Sequence, residues 1–290
     1  MHYKVLFLAM SCNDPFFEIS RKVVHDTWAK DIIMGEYPEY GFYSYTSSNT
    51  GKECIENNTI YLNAKDTIHD TFDKTVRCFQ FLKDNEITFD YVVRTNTSIY
   101  FNIPNTISFV NTELKIFNID FYSSLIGHLW NAEINNYIHN FFGGIMIMSN
   151  RFIETILKNI DNYNKDHETI KQITSQYIDD FYGFDDVIIS CLIYLFEKDN
   201  IFKTNLFFSE YYVPRYKTIP LNKVLVKEEN LTEHLCFGTD HYYSDPNIIN
   251  EITFVQYRMH GAKKHKNFRY IELEHAYELD NANNSRINRD

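Results

Sequence analysis

Two adjacent carboxylates, Asp185 and Asp186, open a long apolar run over residues 187–196. Acids in that place can cap the positive end of a helix. They can also hold a proton acceptor against a hydroxyl that is about to attack. The residue types do not say which of the two acids would be the base. Gly143 and Gly144 precede the apolar stretch 145–148. A glycine pair there is either a plain turn or a place where backbone approaches a ligand with no Cβ in the way. The third feature is basic. Residues 258–269 carry Arg258, His260, Lys263, Lys264, His265, Lys266 and Arg269 in a chain of formal charge −11. This island is either a solvated surface loop or an anion pocket for a diphosphate, with lysines as point charges.

Groups of this kind need elements to hold them. The run 4–10 reads as a first buried strand; polar residues close it at once, and it is too short for a signal peptide. Residues 16–30 place Phe16, Phe17, Ile19, Val23, Val24, Thr27 and Trp28 at the spacing of an amphipathic helix. Residues 40–45 read as a second strand. A helix is expected over 66–84, with Phe72, Val76, Phe79 and Leu82 on one face. The strand 90–95 runs into the polar Asn96, Thr97 and Ser98, and Pro104 marks the start of another short helix. A buried strand follows the glycine pair, a helix over 151–160 turns Phe152, Ile156 and Leu157 inward, and the two acids open a last helix. Strands alternating with helices predict an α/β fold whose mixed or parallel sheet is covered by helices. No repeat and no Pro/Gly-rich linker divides the chain, so a single domain over 1–270 with a polar tail over 271–290 is expected.

Composition narrows the function classes. At 290 residues, 44% hydrophobic and 17% aromatic, the chain can bury a large core. The acidic balance disfavours a nucleic-acid binder, which needs clustered cations to neutralise phosphate. Five cysteines, at 12, 54, 78, 191 and 236, show no metal-binding spacing and read as thiols of a reducing compartment. No stretch reaches the length of a membrane span. A cytoplasmic location is the expectation.

Four segments, in order, resemble the β-1,3-galactosyltransferase and fringe group of glycosyltransferases. The first joins the strand ending at Phe7, Leu8, Ala9 and Met10 to Arg21-Lys22-Val23-Val24-His25-Asp26-Thr27-Trp28. It is similar to the group's R-x-x-I-R-x-T-W helix, with His25 where an arginine is usual. The second, residues 89–102, looks like Y-V-x-K-x-D-D-D-x-F-x-N, with Asn96, Thr97 and Ser98 in place of the three acids. The third runs from Trp130 past Tyr137 to Gly143, Gly144 and Ser149. The fourth is Asp185-Asp186-Val187, similar to an acidic-Asp-Val motif.

The resemblance implies a GT-A (Rossmann-like) nucleotide-sugar-binding fold. It implies inverting transfer from a nucleotide-sugar, a UDP-sugar by preference, to a hydroxyl of a glycan or glycoprotein acceptor. Asp185 or Asp186 would be the base. Donor contacts would fall to Ala9, Ser11, Arg21, Arg94, Thr95, Asn96, Thr97, Ser98, Gly143 and Gly144, with His260, Lys263 and Lys264 added from the basic island. In the group the acidic triplet holds a divalent cation, Mn or Mg, against the diphosphate. Asn96, Ser98 and His260 are what remains here to face one. Neutral oxygens cannot repay a hard cation's dehydration, so the expectation is that the basic island, together with Arg94, replaces the metal's charge. A lesser likeness, to the H-x-G-x-x-K element of glycogenin-like retaining enzymes, falls on 260–264 with compressed spacing. The alternatives are a retaining transferase and a non-catalytic descendant that binds glycans or a protein partner.

Overall fold

The computed structural model describes residues 1–141, 143–176, 182–209, 256–258, 276, 277 and 280. Its first strand, β1 (His2–Met10), is apolar and buried at each position from Val5 to Ala9. A strand with no polar face belongs in the middle of a sheet covered on both sides, and β1 lies there. After it come α1 (Pro15–Asp26), α2 (Lys30–Ile33), β2 (Tyr40–Ser47), β3 (Cys54–Glu56) and β4 (Thr59–Leu62). A 3-10 turn at Ile68–Asp70 leads into α3 (Thr71–Asp84), then β5 (Thr88–Asn96), β6 (Ile99–Phe101) and α4 (Ile103–Phe109), the last continued by a π turn. The chain goes on through β7 (Phe121–Asn131), β8 (Asn136–Phe141), β9 (Ile145–Ser149), α5 (Asn150–Asn159), α6 (Glu168–Thr174), α7 (Asp185–Lys198), β10 (Leu206–Ser209) and β11 (Gln256–Arg258).

The main sheet has the order β10-β7-β9-β5-β1-β2-β4-β3, with β8 paired to β7. β1 is parallel to both neighbours, β2 and β5, while β9 runs antiparallel to β5. The expected mixed α/β sheet flanked by helices is present. β1 sends the chain to β2 on one side, and the chain later returns to β5 on the other. Strand order therefore reverses at β1, and in open α/β sheets the crevice at the carboxyl ends of the strands at such a point is where ligands bind.

Two cores follow from the alternation of side chains along the central strands. Val5, Phe7, Ala9 and Val93 face α1 and α2, where Trp28 packs against Phe7, Phe42 and Phe101 with ring centroids 5.9, 5.3 and 4.9 Å apart. Leu6, Leu8 and Val92 face the other way, onto α3, α5 and α7. Ala276 is fully buried in the first core, and Tyr277 and Asp280 hydrogen-bond back to Asp26 and Tyr100. Cys78 and Cys191 are buried in the second, where burial pushes the Cys191 thiol up to about 12.

Element boundaries follow their caps. Asp14 accepts a hydrogen bond from Phe16 N and Pro15 takes the first helical position, which starts α1. The helix expected over 16–30 stops at Asp26, with Thr27 Oγ1 bonded to Val23 O at 2.7 Å. Ile19, placed on the apolar face by its spacing, is 45% exposed, and Arg21 takes the buried side instead. Asn102 caps α4 and Ser149 caps α5. No helix among the described residues is long and apolar enough to cross a membrane.

Candidate active site

Four elements end at the same edge of the sheet. Ala9 and Met10 of β1 lie beside Thr95 and Asn96 of β5, and Thr95 lies beside Ile145 at the start of β9. Thr95 Oγ1 donates to the carbonyl of Gly144 at 2.9 Å. The N-terminus of α7 is held against this corner by backbone contacts. Phe72 N and Thr71 Oγ1, at the start of α3, donate to Gly183 O at 3.0 and 3.1 Å, and Asp185 N donates to Thr71 Oγ1 at 3.1 Å. Gly183 is the residue this docking requires. Its φ is +87°, and a Cβ there would lie 1.7 Å from the carbonyl oxygen of His69.

The two acids occupy different environments. Asp185 is 4% exposed and its Oδ2 lies 2.5 Å from Arg94 Nη2. The same oxygen accepts from Thr75 Oγ1 at 3.1 Å, and Tyr45 OH lies 2.9 Å from that hydroxyl. Arg94, 1% exposed, also donates to Gly143 O and to Met10 Sδ. Burial alone would discourage the guanidinium charge; Asp185, Tyr45 and Asp186 together outweigh it and hold Arg94 protonated. Asp185 and Arg94 thus neutralise one another inside the core.

Asp186, the next residue, is only half-buried. Its Oδ2 accepts from Gly143 N at 3.1 Å and its Oδ1 from Val187 N at 2.9 Å. Burial, and then the charge of Asp185, push its carboxyl up to about 6, against the pull of Arg94 and the two N–H donors. Gly143 fits where no other residue would: a Cβ on it would meet Asp186 Oδ2 at 2.5 Å and Asp186 Cβ at 2.8 Å.

The turn after β5 is closed on itself. Asn96 Oδ1 accepts from Ser98 N at 3.0 Å and from Ser98 Oγ at 2.6 Å, and Thr97 is buried. Of the residues expected to touch a donor, Ala9, Ser11, Thr95 and Gly144 are also buried in the edge itself, while Asn96, Ser98 and Gly143 keep partial exposure. Arg94, expected to offer charge to a diphosphate, is committed to Asp185 and Gly143. That expectation is not met, because a guanidinium packed into the core cannot face a ligand. The turn itself offers only amide and hydroxyl oxygens, a poor set for a hard dication. Among the described residues no group of three or more His, Cys, Asp or Glu is arranged to hold a metal ion.

The loop after β1 carries a cationic network that sequence reading found only in part. Arg21 Nη1 donates to Ser11 Oγ at 3.1 Å and to Cys12 O at 2.9 Å. Lys74 Nζ, on a side chain 1% exposed, donates to Ser11 O at 2.7 Å and pairs with Asp66 at 2.7 Å. Asp66 in turn accepts from Asn13 N and from Ser47 Oγ, both at 2.5 Å. Lys74 escaped notice because lysines on amphipathic helices usually snorkel to water. Its position four residues before Cys78 and eight before Leu82 places it on the buried stripe. His25, in the place where the resemblance has arginine, lies 3.1 Å from Ser44 Oγ and edge-on to Phe42. Burial, and then Arg21, lower its pKa to about 4, so it brings no charge at neutral pH.

His260, Lys263 and Lys264 lie outside the described residues. Arg258 is described, and its backbone pairs with Ile99, directly after Ser98. Two hollows of about 540 and 420 Å³, around His2, Asp90 and Arg151 and around Phe117 and Phe207, sit at the amino ends of the strands, away from the acids.

No family model matches the chain, and no curated protein matches it. Among solved structures it is similar to one described as the "crystal structure of a glycosyltransferase involved in the glycosylation of the major capsid of PBCV-1". That alignment covers 94% of this chain and 98% of the other, at 12% identity and a TM-score of 0.40. Likeness at this level leaves the chemistry to be read from the side chains.

Proposed function

We propose that the protein is a glycosyltransferase of GT-A type, moving a sugar from a nucleotide donor to a hydroxyl of a glycan or glycosylated acceptor with inversion. Asp186 is the general base in this reading, and Asp185 is a positioning residue held by Arg94. The observation that carries it is Asp186, half-buried against Gly143 at the edge where β5 and β9 meet, with its carboxyl raised toward neutral pH. A base titrating near the working pH combines the right protonation state with useful basicity. The acceptor oxygen attacks the anomeric carbon, its proton passes to Asp186, and the nucleoside diphosphate leaves from the opposite face with the bonding electrons. The four-segment resemblance favours UDP as the nucleotide.

The leaving diphosphate needs positive charge. The turn Asn96–Ser98 does not fit a hard divalent cation, so no step is assigned to a metal. Arg21, buried and bonded to Ser11 Oγ and Cys12 O, shapes the loop after β1 and adds only long-range charge. The basic island with His260, Lys263 and Lys264 is the source of direct charge in this reading; the backbone pairing of Arg258 beside Ile99 supports that role. The experiment is a panel of nucleotide-sugars assayed for hydrolysis and transfer, with and without chelator. Turnover that persists in chelator is expected, and full dependence on added manganese or magnesium would defeat the charge assignment.

One observation favours a second reading, a non-catalytic protein that binds glycans or a partner. Asn96 and Ser98 satisfy each other in a turn that carries no acid. A thermal shift with UDP separates the two, since a working transferase must bind its nucleotide.

A further inference from the structure

The hairpin β7–β8 has one face in the core and one in solvent. Leu129 and Ile138 are buried against α6 and α7, and Phe141 N donates to Ser190 Oγ of α7 at 3.1 Å. The opposite face carries rings at every step. Trp130 pairs across the strands with Tyr137, centroids 4.9 Å apart, and His128 pairs with His139 at 5.4 Å. His128 and Tyr137 are 6.3 Å apart, so these four rings join into one track; at its foot His139 touches Phe141, which is buried in the core, at 6.0 Å. Tyr137 is 58% exposed, and both histidines are exposed. The exposed track descends from the hairpin tip to His139, four residues before Gly143, whose N–H holds Asp186.

We infer that this face is the platform on which the acceptor glycan lies, its sugar rings stacked on Trp130, Tyr137 and His128 and its reactive end delivered to Asp186. The identity of the ligand rests on the transferase reading; the location rests on the rings. Aromatic faces suit the C–H face of a pyranose, and neither strand of the hairpin, 121–131 or 136–141, contains Lys, Arg, Asp or Glu. A platform without fixed charge in a protein of net charge −11 does not fit nucleic acid. Asn135 and Asn136, exposed at the tip, add amides, which hydrogen-bond hydroxyls as both donor and acceptor. Six residues of β8 span about 20 Å, room for several sugar units.

The test titrates the intact protein with neutral galacto-, gluco-, xylo- and manno-configured tetrasaccharides, with UDP binding measured in parallel by calorimetry. The chain has two tryptophans, and Trp28 is 4% exposed in the core, so an emission change on saccharide binding reports Trp130. One of the four saccharides is expected to shift that emission. Trp130→Ala and Tyr137→Ala should each weaken its binding about tenfold, as expected for losing one aromatic stacking partner. NMR of the Tyr137 ring serves as readout where Trp130 is removed, and the thermal midpoint checks that both variants fold. The inference is overturned if no tetrasaccharide binds, or if one binds with affinity indifferent to both substitutions. UDP binding without saccharide on the hairpin would sink the platform and keep the transferase. Saccharide on the hairpin without UDP binding would do the reverse.

Discussion

Replacing Asp185 by asparagine separates structure from chemistry at this site. Asp185 is 4% exposed, its Oδ2 2.5 Å from a guanidinium that is itself 1% exposed. The amide keeps the shape and can still accept from Thr75, but it leaves the Arg94 charge in the core without a counter-charge. Breaking one side of a buried pair costs about 3–5 kcal/mol. For a chain of this size that corresponds to a fall of roughly 5–8 °C in Tm. Arg94→Met should cost a similar amount, because it strands the carboxylate instead. The double variant Arg94→Met/Asp185→Leu should lose far less than the sum, since a buried pair replaced by apolar side chains is about neutral. Asp186→Asn behaves oppositely: it forfeits at most one accepted N–H bond, about 1 kcal/mol, and relieves a carboxylate that burial disfavours. Its turnover should fall by about 10²- to 10⁴-fold, the share of a general base, with nucleotide affinity kept. Urea and thermal melts of all four proteins, with donor turnover where a donor is found, make the comparison. Strictly additive losses in the double variant, or an Asp185→Asn protein as stable as the parent, would refute the buried-pair reasoning. Full turnover in Asp186→Asn would remove the base.

Gly143→Ala should destabilise the protein by about 1–3 kcal/mol, because the new Cβ would lie 2.5 Å from Asp186 Oδ2 and 2.8 Å from Asp186 Cβ; a melt and a rate assay should show loss in both. Gly183→Ala should be more severe, since the position has φ +87° and the Cβ would lie 1.7 Å from His69 O; failure to yield folded protein, judged by circular dichroism, is the expected outcome. The pH dependence of stability has a definite sign. Asp186 has its folded pKa raised to about 6 from 3.8, so the stability it contributes is complete below about 4 and is lost as pH rises through 6; against Asp186→Asn, the parent should lose ground in urea melts over that window. His25 is lowered from 6.5 to about 4, so its contribution is complete above 6.5 and is lost as pH falls toward 4; a His25→Asn variant should show a shallower acid loss.

The order of strands and helices was legible in the chain because it is written in local spacing. The unbroken apolar run at 4–10 needs a sheet interior, and the acids ahead of residues 187–196 need a helix N-terminus. These constraints involve neighbours a few residues apart. The resemblance likewise pointed to residues 95–98, 143–144 and 185–186, three places that the folded chain brings to one edge. The hairpin β7–β8 was not legible. Its first strand mixes serine, glycine and histidine with leucine, so no clean period marks it, and its pairing depends on a partner in β8 and a floor in α7. Which acid is buried could not be read either. Asp185 and Asp186 are chemically identical, and only the arrival of Arg94 from another strand and of Gly143 from a turn divides them. Lys74 and Arg21 were taken inward for the same reason. A charge's cost depends on the water and the partners around it, and these are set by contacts 10 to 110 residues apart along the chain. Sequence determined which groups were available and which elements carry them; the tertiary structure decided which became core and which still reach solvent.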